Sequence, residues 1–188
     1  FARPQSIDPT LVGVLIRLCV RSDGGTRFEQ YIEKFQKSKT PELRDQYLVA
    51  LAEFNKPALA RKLIDVALSE KVRAQDIWKP VRALLANTVV QGESWDAVKS
   101  HWPALHKKGG SLGVQRMIQA AGHLWSDEWH EDVSAFFSHP GNRAGLGERT
   151  LAQTLEFIQL GARFKRHQTA ELSMWLQAYV QKGAKKAF

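Results

Sequence analysis

Between Tyr47 and Leu105 the apolar positions fall at helical intervals in four successive segments, YLVALAEF, PALARKLIDVAL, IWKPVRALLA and SWDAVKSHWPAL, joined by turns marked with Asn, Pro and Gly. Apolar residues at i, i+3, i+4 and i+7 bury one face of a helix and leave the other in water. No strand-like stretch interrupts the four. The pattern predicts stacked helical hairpins rather than an α/β core.

The flanks extend the same reading. Asp8 before Pro9 is a helix start, with Leu11, Leu15, Ile16 and Cys19 as its predicted stripe and Gly24-Gly25 as its stop. Phe28, Tyr31, Ile32 and Phe35 mark a second helix, and Thr40-Pro41 opens a third that carries Tyr47, Leu48, Leu51 and Phe54. Asn55-Lys56-Pro57 separates it from a fourth, and so short a turn predicts that the third and fourth helices pack antiparallel. Asp76 is the predicted cap of a fifth helix, with Ile77, Val81, Leu84 and Leu85 inward and an end near Asn87. The sixth carries Trp95, Val98 and Trp102, with a bend expected at Pro103 and a break at Gly109-Gly110. Val114, Met117, Ile118 and Ala121 mark a seventh, and Ser126 with Asp127-Glu128 caps an eighth bearing Trp129, Val133, Phe136 and Phe137. After the loop-like stretch His139 to Glu148 two more helices are predicted, one with Leu151, Leu155 and Ile158, the other with Leu172, Trp175, Leu176, Tyr179 and Val180.

Hairpins recur at roughly thirty-odd residues, within the range of solenoid repeats, but no residue signature recurs with them. The predicted fold is therefore all-α: an irregular HEAT- or armadillo-like array of antiparallel helical hairpins, an α-solenoid or superhelix, in a single domain over residues 1–188. The six tryptophans, Trp78, Trp95, Trp102, Trp125, Trp129 and Trp175, are read mostly as packing residues.

Composition narrows the picture only in part. With 188 residues and 44% apolar content the chain can build a core without staples, and the single Cys19 offers no internal disulfide. No apolar run is long enough to span a bilayer and no leader pattern is present, so the chain reads as soluble with its compartment left open. The start at Phe1, without an initiator Met, reads as a segment of something longer. A surplus of 27 basic over 19 acidic residues, net +8, favours anionic partners in general. The densest basic groups, Lys107-Lys108, Arg163 with Lys165-Arg166-His167, and Lys182 with Lys185-Lys186, read chiefly as solvated cations at helix ends.

An ordered set of short motifs carries a resemblance. Gln75-Asp76, Asn87, Gly92, Ser94-Trp95 and His101-Trp102, followed by Arg116, Phe136-Phe137, Gln153 to Ile158 and Trp175-Leu176, resemble the C-terminal helical domain of M1-family zinc aminopeptidases, the endoplasmic-reticulum-aminopeptidase-like kind. Ser94 stands where Ala is common in that family, and His101 where Asn is. The resemblance implies a division of labour: zinc and the catalytic glutamate belong to an upstream catalytic domain of the same protein, marked by HExxH and GxMEN motifs. This helical part would close the substrate chamber and control or bind the peptides that reach it.

Neither catalytic motif is in this chain. His130-Glu131 comes nearest, but position 134 is Ser, so the second imidazole one helical turn on is missing. The pairs His101/His106 and His123/His130 match no strong ligand spacing, and the glycines lack the preceding strand that a phosphate loop requires. No catalytic, cofactor or metal residue is therefore assigned, and the chain itself reads as non-enzymatic. Arg116 is the candidate contact for a peptide carboxylate, because a guanidinium edged by Val114, Met117 and Ile118 can grip one with two parallel bonds. Two other readings stay open at this level: a free-standing HEAT-like interaction scaffold with an apolar groove, and a basic helical-repeat nucleic-acid binder.

Overall fold

The computed structural model describes residues 8–142 and 148–184. Among these it is all-helical, with α1 (Pro9–Asp23), α2 (Phe28–Lys37), α3 (Pro41–Ala50), α4 (Pro57–Leu68), α5 (Trp78–Ala86), α6 (Gln91–Ala120), α7 (Asp127–Ser138) and α8 (Glu148–Ala184). Three short 3-10 turns, Leu51–Glu53, Ala74–Asp76 and Ala121–His123, connect them. Residues 143–147 of the predicted loop, and Lys185-Lys186, lie outside the described residues.

Local chemistry sets the helix ends. Asp8 Oδ1 accepts from the Thr10 amide at 2.9 Å, Thr40 Oγ1 from the Leu43 amide at 3.3 Å and Ser126 Oγ from the Trp129 amide at 3.1 Å, so three orphan donors are satisfied by side chains. Gly24 closes α1 in the left-handed region at φ 66°, where a Cβ would be strained. Lys108 closes α4 from a distance: its Nζ donates to the carbonyls of Ala67 (2.9 Å) and Ser69 (2.6 Å), and burial pushes its pKa down.

Sequential pairs α2–α3, α5–α6 and α7–α8 pack together, and the alternate pairs α1–α3, α4–α6 and α6–α8 join them into one array. α3 lies against α1, α2 and α5, whereas α4 packs on α5 and α6. The expected antiparallel α3–α4 pair does not form. Instead the buried 3-10 turn Leu51–Glu53 and the extended Phe54 carry the chain away before α4 begins, and that turn packs under α1. α8 lies against α7, α6 and the turn Ala121–His123.

Several sequence expectations are corrected. In α1 the buried stripe is Val12, Ile16 and Val20, while Leu11 is 52% exposed, because the helix sits at one end of the array with apolar residues on more than one side. Asp76 caps nothing. It lies in the 3-10 turn before α5, buried, and pairs with Arg73 and Lys79 at 2.8 Å each. Within α6 Gly110 alone has non-helical backbone angles (φ 57°, ψ −171°), so of the expected Gly109-Gly110 pair only the second glycine leaves the helical region. The two predicted C-terminal helices are one, α8, since the polar stretch Arg163–Ala170 contains no breaker. Of the tryptophans, Trp95 and Trp102 are buried and Trp78 and Trp129 half-buried, but Trp125 and Trp175 are exposed.

Candidate functional site

A groove of about 700 Å³ runs between α1, α3 and α5 and reaches His123. Small and apolar residues, among them Gly13, Val14, Val49 and Ala83, line part of its walls, and charged and polar side chains with Trp78 line the rest. Four cations, Arg17, Arg21, Lys79 and Arg82, face two carboxylates, Asp45 and Glu53. The groove is therefore net basic.

Two ionic clamps fix its walls. Arg17 and Arg21 lie one turn apart on α1, and donate to the two oxygens of Glu53 at 2.6 and 2.7 Å. Glu53 is only 7% exposed, so this pairing ties α1 to the turn after α3. Lys79 of α5 bridges Asp45 of α3 and Asp76. Burial works against its charge, but the bonds to the two carboxylates outweigh that and raise its pKa. For Asp76 burial likewise opposes ionisation, and the bonds from Lys79 and Arg73 prevail and lower its pKa.

At the far end of the groove stand Arg82 and His123. Arg82 is exposed and has no acidic partner among the described residues. Burial, then the charge of Arg82, pushes the His123 pKa down, favouring the neutral ring.

Arg116 reaches the groove indirectly. Its guanidinium stacks over the Trp78 indole at 4.6 Å, and Trp78 is a lining residue while Arg116 is not. The neighbours Val114, Met117 and Ile118 are buried and Arg116 is half-buried at the edge of that core. A stacked guanidinium keeps its in-plane donors available.

The residues that carry the family likeness serve packing. Trp95, Trp102, Phe136 and Phe137 form one aromatic cluster between α6 and α7, with ring centroids 5.0–6.0 Å apart in edge or tilted geometry. Trp95 Nε1 donates to Asp132 at 2.6 Å. Asn87 is buried, donates to the Ala52 carbonyl at 2.8 Å and accepts from the Val89 amide at 3.2 Å.

The comparisons with known proteins agree with that architecture. The family model described as "ERAP1-like C-terminal domain" matches residues 2–160. The chain belongs to this family. Trp95, Trp102, Asn87 and Phe136-Phe137 thus brace the helices of an ERAP1-like C-terminal domain. Among curated relatives, aminopeptidase N of Bos taurus is 24% identical over 155 residues, covering 80% of this chain and 16% of the bovine protein. Aminopeptidase N of Homo sapiens is 23% identical over 174 residues (90% and 18%), and aminopeptidase Ey of Gallus gallus 22% over 177 (92% and 18%). The chain spans less than a fifth of the length of these relatives.

Among the described residues no group of three or more His, Cys, Asp or Glu could hold a metal ion, and Ser134 stands where a second ligand would follow His130. No described helix is long and apolar enough to cross a membrane.

The groove itself was not foreseen from sequence. Its residues run from Thr10 to His123 across three helices and two 3-10 turns, and only tertiary packing joins them. One local signal existed: Arg17 and Arg21 at i, i+4, with Glu53 as the one acid in the apolar run YLVALAEF.

Proposed function

We propose that this chain is the non-catalytic C-terminal part of an M1-type zinc aminopeptidase, and that the α1–α3–α5 groove forms part of the wall of its substrate chamber. Zinc would be held by an upstream catalytic domain of the same polypeptide. The reading rests on the family match over residues 2–160. Its physical support is the groove: a basic, partly apolar channel of about 700 Å³, braced by the Glu53 and Lys79 clamps. Such a wall acts on access, because it excludes peptides that clash with it and retains those whose carboxylates meet its cations. Arg116, stacked on Trp78, is the proposed contact for a peptide's terminal carboxylate.

The test separates access from chemistry. In the full-length enzyme, Ala83→Trp would narrow the groove at a residue of this chain and leave the sequence of the proposed catalytic domain unchanged. Turnover of a decapeptide should fall by about tenfold in kcat/KM, equivalent to about 1.4 kcal/mol, while a single-residue aminoacyl reporter stays at the parent rate. Equal loss on both substrates, or no loss on either, would refute the wall. Metal-dependent hydrolysis of the reporter by the purified 188-residue chain would refute its non-catalytic role.

A further inference from the structure

The charges of the groove are sorted by wall. α1 and α5 both pack on α3 and on the turn Leu51–Glu53, so they stand as two rims over that floor. α1 turns Gly13, Arg17 and Arg21 to the groove and α5 turns Trp78, Arg82 and Ala86, in each case residues four apart on one helix face. The two acids that line it, Asp45 and Glu53, belong to the floor, and both are occupied. Ion pairing then locates the surplus. Lys79 and Arg73 balance Asp45 and Asp76. Two arginines share Glu53, which leaves one positive charge on the α1 rim, and their side chains stay 54% and 58% exposed. Arg82, on the α5 rim, is exposed and paired with no acid among the described residues. Each rim thus holds one unneutralised cation.

We propose that Arg82 and the Arg17–Arg21 pair form a subsite for Asp or Glu side chains of an extended peptide lying along the groove. That the peptide is substrate rests on the chamber-wall reading; on it, these cations make acidity within the peptide a selection rule, separate from the terminal carboxylate at Arg116. An extended peptide sends successive side chains to opposite sides, so its carboxylates reach the rims while its apolar side chains meet Val14, Val49 and Ala83. A guanidinium with free in-plane donors is suited to a carboxylate. A nucleic-acid strand suits the groove less, since it brings a phosphate with every nucleotide and sets that row against Asp45 and Glu53 as well as against the cations.

The probes are rhodamine-labelled nonapeptides with amidated C-termini, identical except for Glu or Gln at one central position. Anisotropy titration with the 188-residue chain should show the Glu peptide binding about fivefold tighter than the Gln peptide, with the difference shrinking in 0.5 M salt. Arg82→Gln should abolish the difference while keeping the parent circular dichroism and melting temperature. Lys107→Gln removes the same charge from an exposed position outside the groove and should leave the difference intact. Saturating Glu peptide should also raise the His123 pKa followed by NMR, because a carboxylate on Arg82 offsets the charge that, after burial, holds it down. Equal binding of the two peptides, no binding, a preference that survives Arg82→Gln, or an unmoved His123 would overturn the subsite. So would equal loss in Lys107→Gln, which assigns the preference to the overall +8. A labelled thymidine decanucleotide that binds tighter than the Glu peptide and is released by Arg82→Gln would assign the groove to nucleic acid and overturn it too. An Arg82-dependent preference found together with decapeptide turnover unchanged by Ala83→Trp would keep the subsite and refute the wall; the reverse pair of results would refute the subsite alone.

Discussion

Gly161 sets two opposing energies against each other, and their sum has a sign that can be measured. It lies inside α8, where replacing Gly by Ala gains about 1 kcal/mol of helix propensity. The same Cβ, however, would sit 2.3 Å from Trp125 Cγ, and 2.4 and 2.5 Å from the Cδ atoms of the ring. Relief requires the indole to move, at about 1–3 kcal/mol for overpacking plus about 1 kcal/mol for the bond from Trp125 Nε1 to the Gly122 carbonyl, now 2.8 Å. Gly161→Ala should therefore destabilise the chain by about 1–3 kcal/mol, lowering the melting temperature by roughly 2–4 °C per kcal/mol for a domain of this size. In a Trp125→Ala background the obstacle is gone, and the same substitution should stabilise by about 1 kcal/mol. Urea denaturation of the four proteins of this cycle, followed by circular dichroism at 25 °C, reads the coupling directly. A Gly161→Ala protein as stable as the parent, or the same sign in both backgrounds, would refute the close seat of Trp125 on α8.

Further outcomes follow from the core and the groove. Trp102 is 1% exposed among Phe136, Phe137 and His106, so Trp102→Ala should cost about 3–5 kcal/mol, visible as a collapse of the urea midpoint. Lys108→Met removes both bonds to the α4 carbonyls while keeping the stem, and should cost about 1–3 kcal/mol with faster amide exchange near Ala67. His123 has a folded pKa below its ordinary 6.5, so the unfolded state binds more protons just below that pH. Its contribution is complete above 6.5 and declines as pH falls toward the folded value; His123→Phe should flatten that part of the stability profile. Asp76, lowered from 3.8, behaves alike at lower pH: its contribution is present above 3.8 and fades as acid protonates it, and Asp76→Asn should remove that decline.

Helix identity was legible because caps and stripes act locally. Thr40 and Ser126 sit at the helix starts their chemistry predicts, Phe28, Tyr31 and Phe35 are buried at the expected spacing, and the Gly109-Gly110 break falls at Gly110. Errors arose where a nonlocal partner decides the outcome. Asp76 has the chemistry of a cap, but two cations lie within reach and take the carboxylate. The missing break in α8 reflects the weakness of polarity as a stop signal: without Gly or Pro between Arg163 and Ala170, the backbone simply continues. Arg116 was picked from its apolar neighbours, but its contact with Trp78 depends on α5 and α6 meeting, which no spacing announces.

Gly110 has a wider effect than a local kink. Leu105 and Val114 are nine positions apart, so an uninterrupted rod turning 100° per residue would aim them about half a revolution from each other, yet both are buried. The backbone at φ 57°, ψ −171° resets the phase, letting the two halves of α6 mesh with their own neighbours as independently timed gears. No atom stands within 4 Å of the space a Cβ would fill there, so the demand for glycine is purely torsional. Any L-residue at 110 would force one half to run on the other's timing.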